Sequence, residues 1–351
     1  MLAITKSAPG HGVEMARSDV AELDPTSVRL QMTYAGICGS DVATYRWAAH
    51  RHRLEPLLPF VLGHEGVGRV VEVGAAVGAV QVGDRVAPEP LIPCYRCSFC
   101  LRDQTNLCPD AQRLGSQLAG TMAEQLVLPE TACYLVPEVL SDREAALLEV
   151  LAVAMHGARR PAELAGAHCA VIGPGSVGLC LLRVLLAMGA AEVTVVGRSR
   201  NLQRLELAAS LGATRVVALE PDGSAPTDVR GRFDAVFEAA GDPAALVTAA
   251  ELTGPGGALV ALGGYQEPVT IDYSRLLRMR SIDLLASRAR VPSDWSVMLS
   301  MLSSGVLDIS GIPTTVFPLS RGTEAFEAAA NGRVVKALLD CADTETGDCH
   351  G

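Results

Sequence analysis

The chain has 351 residues, 49% of them hydrophobic and 19% charged, so it is long enough for about two domains and can bury sizeable cores. Lys and Arg number 29 against 39 Asp and Glu, a formal net charge of −10, and no Lys/Arg-rich run is present. This balance argues against nucleic acid and anionic membrane surfaces as partners.

The sequence predicts neither a signal peptide nor a membrane span. The first residues, Met1–Lys6, lack a continuous apolar stretch, and the most apolar segment, 177–191, is interrupted by Arg183. Of the ten cysteines, four fall between positions 94 and 108 and the others are scattered. That distribution favours metal binding in a reducing compartment over a disulfide framework, so we expect a cytoplasmic protein.

The first third of the chain is predicted to be rich in strands. Apolar residues alternate with polar or small ones from Val28 to Tyr34, a second strand follows over 67–73, and a tight turn at 82–86 enters a third. The segment 45–59 is a predicted loop with basic and aromatic side chains: Trp47, His50, Arg51, His52 and Arg53. This loop either lines a pocket for an anionic or polyhydroxylated ligand or, more commonly, is a solvated surface loop.

Two glycine-flanked motifs lie at the ends of these strands. The motif Gly36–Asp41 supplies Cys38, and the motif Gly63–Gly66 supplies His64 and Glu65. A zinc ion that takes part in catalysis is held by three protein ligands from Cys, His and Asp or Glu, with a fourth position open. A thiolate, an imidazole and one carboxylate meet this requirement, so the sequence predicts a catalytic zinc site. Taken singly, such residues are also common in protein cores, and the prediction therefore depends on the rest of the chain.

A cluster of cysteines occupies the segment 90–110. Cys94, Cys97, Cys100 and Cys108 follow the spacing C-x2-C-x2-C-x7-C. Four thiolates on one loop form a closed tetrahedral set, which is typical of structural zinc. An iron–sulfur cluster uses similar ligands, and two disulfides are a further alternative that the expected compartment disfavours. We predict a structural zinc that stabilises a lobe and takes no part in catalysis.

Beyond residue 141 the pattern changes to alternating helices and strands. Ser141 and Glu144 form a capping-box signature that predicts a helix running through Glu149 toward His156. Short β-branched runs then alternate with helical runs, with strands predicted at 169–172, 193–196, 235–237 and 258–262 and helices at 177–188 and 202–211. This alternation indicates βαβ units and a parallel sheet.

The pattern after residue 287 is irregular. One more helix is predicted near 326–330, and the polar tail 343–351 is expected to fray.

A glycine-rich turn connects the first of these strands to the first helix. Its residues are Gly173, Pro174, Gly175, Ser176, Val177 and Gly178. In this context the first glycine allows a tight turn, the second lets the backbone approach a pyrophosphate, and the third lets helix pack on strand. The positive end of the helix then faces the phosphates, so the turn predicts a dinucleotide site.

The residues after the second strand of this unit bear on the choice of nicotinamide cofactor. A cofactor with a free ribose 2′-hydroxyl calls for an acid about twenty residues after the glycine-rich turn. The chain instead has Gly197, Arg198, Ser199 and Arg200. Two guanidinium groups and a hydroxyl suit a 2′-phosphate, so NADP(H) is favoured over NAD(H), although arginines at a strand end are also common on plain surfaces.

These motifs, in this order, resemble a zinc-dependent medium-chain dehydrogenase/reductase of the alcohol dehydrogenase superfamily, over nearly the whole chain. Tyr45-Arg46-Trp47 and Leu147-Leu148-Glu149 are similar to the polyol and threonine dehydrogenase branch. The resemblance implies a fold of the α/β plus β class. A GroES-like β-rich catalytic domain would span 1–150 and 288–351, and a Rossmann domain with a doubly wound parallel sheet would be inserted at 151–287. It also implies an active site between the domains and a homodimer or homotetramer.

The resemblance also assigns roles to residues. It implies that Cys38 and His64 are catalytic zinc ligands and that Glu65 and Glu149 compete for the remaining places. It implies that Ser40 takes the substrate proton and passes it toward the nicotinamide ribose. Asp41 is the implied partner that hydrogen-bonds the ligating histidine.

Two departures from the family pattern stand out. Relatives often carry a histidine two residues after the Asp, where this chain has Ala43, so the proton relay would end in water or in Thr44, His50 or His52. Relatives of the polyol type also place a proline after the ligating Glu, where this chain has Val150.

The implied function is reversible hydride transfer between NADP(H) and a polar secondary alcohol or ketone, such as a polyol, sugar, cyclitol or amino alcohol, with two zinc ions per chain. An NAD-dependent polyol dehydrogenase, a catalytically silent NADP(H)-binding protein and a reductase without catalytic zinc remain alternatives. The presence of Cys38, His64, Ser40 and Glu149 argues against the last two, because cofactor binding alone requires none of them.

Overall fold

The structure, a computed structural model, describes residues 1–220 and 222–343. Its internal contacts define two units. The first comprises Met1–Glu149 together with the segment that begins at Pro313, and the second comprises Val150–Ile312. The tail that the sequence predicts to fray lies, from residue 344 onward, outside the described residues.

The strands are numbered in chain order. They are β1 (Leu2–Lys6), β2 (Glu14–Arg17), β3 (Ser27–Gly36), β4 (Phe60–Val61), β5 (Glu65–Val73), β6 (Arg85–Pro88), β7 (Leu91–Ile92), β8 (Gln112–Arg113), β9 (Gln125–Pro129), β10 (Cys133–Leu135), β11 (His168–Ile172), β12 (Glu192–Arg198), β13 (Arg215–Leu219), β14 (Phe233–Glu238), β15 (Thr253–Ala261), β16 (Asp283–Ala286), β17 (Thr315–Pro318) and β18 (Ala337–Asp340).

The α-helices are α1 (Gly39–Tyr45), α2 (Asp142–Ala145), α3 (Leu148–Ala158), α4 (Ser176–Ala187), α5 (Leu202–Ser210), α6 (Pro243–Leu252), α7 (Pro292–Ser303) and α8 (Gly322–Ala330). Segments of 3₁₀ helix occur between them, and the longest of those described is Ala49–Leu57. That segment falls in the predicted loop 45–59. A 3₁₀ helix forms through local i→i+3 bonds and needs no apolar periodicity, which explains why the sequence pattern did not reveal it.

The first unit is built on β3, which alternates buried and partly exposed side chains as predicted. Val28, Leu30 and Met32 are at most 1% exposed and form its buried face. The main sheet has the order β10-β6-β5-β3-β18-β17, with β9 also paired to β3, and a smaller sheet has the order β2-β1-β4. Most pairs in the main sheet are antiparallel, and its apolar face forms the core of this unit.

The second unit contains one six-stranded sheet in which every pair of strands is parallel. Its strand order is β13-β12-β11-β14-β15-β16. This is the order of a doubly wound dinucleotide-binding fold, and the strand order reverses between β11 and β14. The predicted fold class, a β-rich unit together with a Rossmann unit that has a doubly wound parallel sheet, is confirmed by this topology.

The predicted capping box is present, but the helix it begins is short. The Ser141 hydroxyl accepts a hydrogen bond from the Glu144 backbone N–H, and the Glu144 carboxylate accepts one from the Ser141 N–H at 2.8 Å. α2 ends at Ala145, and α3 begins at Leu148 as a separate helix.

Helix α7 belongs to the second unit, which continues to Ile312. The family resemblance implied that residues from 288 onward belong to the first domain. The reason for the difference is a buried contact, because Asp294 of α7 lies 2.7 Å from Nδ1 of His156 and 2.5 Å from Nη1 of Arg159. The side chain of Asp294 is 2% exposed and also accepts the Val291 N–H at 2.9 Å. No sequence pattern links α3 to α7, so this contact could not be anticipated.

No helix in the described ranges combines the length and apolar character needed to cross a bilayer.

We predict that Asp294→Ala lowers the free energy of unfolding by about 3 kcal/mol at neutral pH, because the partly buried His156 ring and the buried Val291 N–H lose their acceptor and Arg159 loses its ion-pair partner. Burial raises the pKa of Asp294, but His156, Arg159 and the Val291 N–H outweigh it and hold the pKa below its ordinary value. The stabilisation is therefore complete above the pKa of the unfolded state, near 4, and is lost as the pH falls through the lower folded value.

Urea titrations of wild type and variant between pH 7 and pH 3 measure this difference. Asp228→Ala serves as the control, since Asp228 forms an exposed pair with Arg215 and its removal should leave the free energy of unfolding nearly unchanged. Equal losses in the two variants would contradict the prediction.

Candidate functional site

Pairing of β3 with β5 brings the two predicted zinc motifs together. The strands are antiparallel with Gly36 opposite Glu65, so the segment that leaves β3 lies beside the residue that enters β5. Gly36 permits this approach, because a Cβ atom there would lie 2.3 Å from Oε2 of Glu65. The register places Cys38, in the turn after β3, next to His64.

Cys38, His64 and Glu65 form one group of potential metal ligands. One ligand atom from each residue lies within 4.8 Å of the other two. Cys38 and His64 are partly exposed, whereas Glu65 is buried. A sulfur, an imidazole nitrogen and a carboxylate oxygen at these separations fit a zinc ion with three protein ligands.

His64 is oriented by Asp41, as the family resemblance implied. Nδ1 of His64 lies 3.4 Å from one carboxylate oxygen of Asp41, and the other oxygen accepts the Cys38 N–H at 3.0 Å. Burial lowers the pKa of His64, but Asp41 and Cys38 outweigh it and raise the pKa well above its ordinary value. The Ser40 hydroxyl lies 3.4 Å from Nε2, the other ring nitrogen. The predicted proton carrier therefore stands beside the ring nitrogen that Asp41 leaves open.

Glu65 is ion-paired with Lys336, a residue that the sequence analysis missed. The two side chains are 1% and 2% exposed, and the ammonium also donates to the main-chain oxygen of Ile37 at 3.1 Å. Burial lowers the pKa of Lys336, but Glu65, Cys38 and Glu149 outweigh it and raise the pKa, so the side chain is cationic. Burial raises the pKa of Glu65, and Lys336 opposes that shift.

A signal for Lys336 exists in the sequence, since it is a single charge in the run Val334-Val335-Lys336-Ala337-Leu338-Leu339. A buried charge requires a partner. Nothing in the run indicates which carboxylate provides it.

Glu149 lies in the first turn of α3 and is 6% exposed. Its charge raises the pKa of both Glu65 and Lys336, so it is near them. It is not a member of the group whose ligand atoms lie within 4.8 Å of one another. Of the two carboxylates expected to compete for the metal, Glu65 is the one that lies with Cys38 and His64.

The cysteine lobe forms a second group, in which the sulfur atoms of Cys94, Cys97, Cys100 and Cys108 all lie within 4.8 Å of one another. The Cys97 and Cys100 sulfurs are 3.4 Å apart and those of Cys94 and Cys100 are 4.0 Å apart, so these are free thiols. Sulfur atoms bound at about 2.3 Å to one tetrahedral zinc stand about 3.8 Å apart, so the lobe fits one ion. Hydrogen bonding by the Arg96 N–H lowers the pKa of Cys94 to about 6, which favours the thiolate.

The glycine-rich turn of the second unit follows β11 directly and opens α4. Gly173 has a φ of 103°, and a Cβ atom at Gly178 would lie 2.0 Å from the main-chain oxygen of Gly173. No atom lies within 4 Å of the corresponding position at Gly175, which leaves the backbone open to a ligand. The turn therefore has the close packing and the open approach that a bound pyrophosphate requires.

A cavity of about 610 Å³ lies in front of this turn. Six of the nine predicted cofactor residues line it: Gly173, Gly175, Gly197, Arg198, Ser199 and Arg200. Ser176, Val177 and Gly178 are not among the lining residues and form the first turn of α4. The sequence analysis missed Arg204, Glu220, Asp242 and Thr248, which also line the cavity.

The charges in this cavity are mixed. Arg198 is ion-paired with Asp242, whose carboxylate also accepts the Ala244 N–H at the start of α6. Arg200 and Arg204 line the same cavity, and burial lowers the pKa of Arg204. One of the two arginines predicted to bind a 2′-phosphate therefore already has an anionic partner.

Comparison with known proteins gives the family. Residues 24–138 match the alcohol dehydrogenase GroES-like domain, and residues 176–304 match the zinc-binding dehydrogenase domain. The D-arabitol-phosphate dehydrogenase of Enterococcus avium is 34% identical over 350 residues, which covers 97% of each chain. The chain belongs to the zinc-binding medium-chain dehydrogenase/reductase family. It is an oxidoreductase of that family, as the sequence motifs predicted.

Other relatives agree with the polyol and threonine dehydrogenase branch. The L-threonine 3-dehydrogenase of Bacillus subtilis (strain 168) is 31% identical over 346 residues, covering 97% of this chain and 98% of the relative.

Two solved structures resemble this dehydrogenase and contain different cofactors. An alcohol dehydrogenase from Escherichia coli CFT073, complexed with NADH, has a TM-score of 0.86 at 25% identity and covers 97% of this chain and 99% of that chain. A protein from Sinorhizobium meliloti 1021, bound to NADP, has a TM-score of 0.83 at 26% identity and covers 97% and 98%.

We predict that Lys336→Met destabilises the dehydrogenase by roughly 3–5 kcal/mol, because Glu65 then remains buried without its cation. The double variant Glu65→Gln/Lys336→Met should recover most of this loss, since it removes both charges. Urea unfolding of the metal-stripped single and double variants tests the pair independently of catalysis. If the losses of unfolding free energy in Glu65→Gln and in Lys336→Met simply add in the double variant, the ion pair does not account for the stability of this site.

Proposed function

We propose that this dehydrogenase transfers a hydride between NADP(H) and a polar secondary alcohol or the matching ketone. The observation that carries the proposal is the arrangement of Cys38, His64 and Glu65 within 4.8 Å of one another, with the Ser40 hydroxyl 3.4 Å from the histidine ring. Three ligands of these types beside a hydroxyl are the parts that a metal-assisted alcohol oxidation needs. A protein that only binds cofactor requires none of them.

In this proposal Cys38, His64 and Glu65 hold a zinc ion. A zinc ion held there would supply Lewis-acid chemistry, which would lower the pKa of an alcohol and polarise a ketone. Asp41 keeps the proton of His64 on Nδ1 through their contact, so that Nε2 is available as a ligand. Glu149 lies near this set as a buried carboxylate whose charge helps to raise the pKa of Lys336.

Ser40 is the proposed proton carrier. Its side chain lies at the start of α1, where it is partly exposed and can meet a substrate hydroxyl. Thr44, one of the expected ends of the relay, donates its hydroxyl to the main-chain oxygen of Ser40 at 3.1 Å. That donor is occupied, so a relay through Thr44 would require this bond to break. The side chain of His50, another expected end, lies outside the described residues.

The proposed substrate class is a polar secondary alcohol such as a polyol, sugar, cyclitol or amino alcohol. Support comes from the relatives, one named for D-arabitol phosphate and another for the 3-position of L-threonine. In both names the alcohol carries further polar or charged groups. We also propose a second, structural zinc in the lobe of Cys94, Cys97, Cys100 and Cys108, which fits one tetrahedral ion.

NADP(H) is proposed as the cofactor because the end of β12 presents Gly197 and Arg198 where an acid would otherwise contact a free 2′-hydroxyl. Arg200 and Arg204 provide cationic groups in the same cavity. The alternative is an NAD(H)-dependent polyol dehydrogenase. One observation favours it, because pairing with Asp242 partly neutralises Arg198.

We predict that Cys38→Ala abolishes cofactor-linked oxidation of polar alcohols and lowers the zinc content from two ions to one per chain, while the fold remains. Turnover, metal analysis and circular dichroism measure these effects together. Cys97→Ser is the matched control, since it should also lose one zinc but through the lobe. Wild-type rates in folded protein stripped of metal would refute the role of zinc.

We predict that Arg200→Ala raises the KM for NADP(H) about tenfold or more and leaves the KM for NAD(H) nearly unchanged, because a charged hydrogen bond to the 2′-phosphate is lost. Arg198→Ala should have a smaller effect, since its guanidinium is shared with Asp242. Arg215→Ala, which removes an exposed arginine that does not line the cavity, is the control. A wild-type preference for NAD(H) that neither cavity variant alters would replace NADP(H) with the alternative cofactor.

A further inference from the structure

Arg51 is a partly buried guanidinium next to the proposed catalytic group. It lies in the 3₁₀ segment Ala49–Leu57, and its Nη2 donates to the main-chain oxygen of Ser40 at 2.9 Å. Burial lowers the pKa of Arg51, and the nearby Asp41 and Cys38 act in the opposite direction. The guanidinium is therefore close to the residue that handles the substrate proton.

The Nε–H of Arg51 has no acceptor among the residues that the structure describes. The atom is buried and finds no hydrogen-bond partner within the described ranges. Asp41, the nearest acid by its charge effect, is already engaged, because its two oxygens face the Cys38 N–H and the His64 ring. A buried donor without a protein acceptor is unfavourable, so a water, an ion or a ligand is expected to complete it.

Arg51 also lacks a carboxylate partner among the residues that the structure describes, since none lies within ion-pair distance of it. A planar guanidinium with a free Nε–H suits an oxyanion, such as a phosphate or a carboxylate, better than a neutral hydroxyl. The ligand in question also has to bring a hydroxyl to Ser40. These two demands together describe an alcohol that carries an anionic group.

We propose that Arg51 is a specificity residue that binds an oxyanion on the substrate, so that the preferred substrates are phosphorylated or carboxylated polar alcohols. This inference rests on the proposed function, because it assumes that the alcohol reacts beside Ser40. The hydrogen bond from Nη2 to the main-chain oxygen of Ser40 holds the guanidinium in place before the substrate binds. The Nε–H then remains to donate to the substrate oxyanion. The neighbouring Arg53 is exposed.

The test compares kcat/KM of the zinc-loaded dehydrogenase for matched pairs of substrates. D-arabitol and its phosphate form one pair, and L-iditol and L-idonate form the other, so that phosphate and carboxylate are examined separately. Arg51→Gln should lower kcat/KM for the anionic member of the preferred pair about 100-fold and for the neutral member less than about threefold. Arg51→Lys, which keeps the charge but loses the fork of donors, should lower the anionic value about tenfold.

Arg53→Gln removes the same charge from the same segment and is the control, with less than about a threefold effect on either member. Inorganic phosphate should compete with D-arabitol phosphate in the wild type, and its inhibition constant should rise at least about tenfold in Arg51→Gln. Zinc content and thermal unfolding of each variant establish that it is folded and loaded.

The proposal is overturned if Arg51→Gln lowers kcat/KM equally for both substrates of each pair, since that result indicates a structural role. It is also overturned if the variant raises only the KM of the cofactor, since that result assigns Arg51 to the cofactor pyrophosphate. Equal wild-type rates on neutral and anionic members also overturn it, while leaving the proposed dehydrogenase function intact. Absence of any cofactor-linked oxidation in the wild type is a failure of the proposed function itself.

Discussion

The antiparallel register of β3 and β5 is the constraint on which the candidate catalytic site depends. With Gly36 opposite Glu65, the turn that carries Cys38 and the turn that carries His64 lie side by side at the same end of the sheet. A shift of one residue would turn every side chain of a strand to the other face and separate these groups. The alternating buried residues of β3 fix the register, so the packing of the core also determines the positions of the proposed ligands.

That arrangement concentrates charge in a region from which water is largely excluded. Glu65 and Lys336 are almost fully buried, and Asp41 and Glu149 are also buried, so each charge requires a defined partner. Lys336 is ion-paired with Glu65. Asp41 contacts the His64 ring and accepts the Cys38 N–H. A bound cation would then enter a set whose donor atoms are already held in place, which reduces the cost of organising the site.

The sequence predicted the parts of this molecule that rest on local patterns. Strand alternation, the Ser141 capping box, the glycine-rich turn and the cysteine spacing are all encoded within a few residues. Contacts between distant segments were missed, because no local pattern specifies them. Lys336 reaches Glu65, Asp242 pairs with Arg198, and Asp294 joins α7 to the second unit. Because of the Asp294 contact, the second unit extends beyond the boundary expected at residue 287. The Asp242–Arg198 pair weakens the simplest argument for NADP(H).

The most direct test of the account is a crystal structure of the zinc-loaded protein with anomalous scattering measured at the zinc edge. We expect two zinc ions per chain, one in the cysteine lobe and one about 2.3 Å from Sγ of Cys38 and about 2.1 Å from a ring nitrogen of His64. A carboxylate oxygen of Glu65 should complete the protein ligands. An active protein that holds zinc in the cysteine lobe but none between Cys38 and His64 would contradict the account.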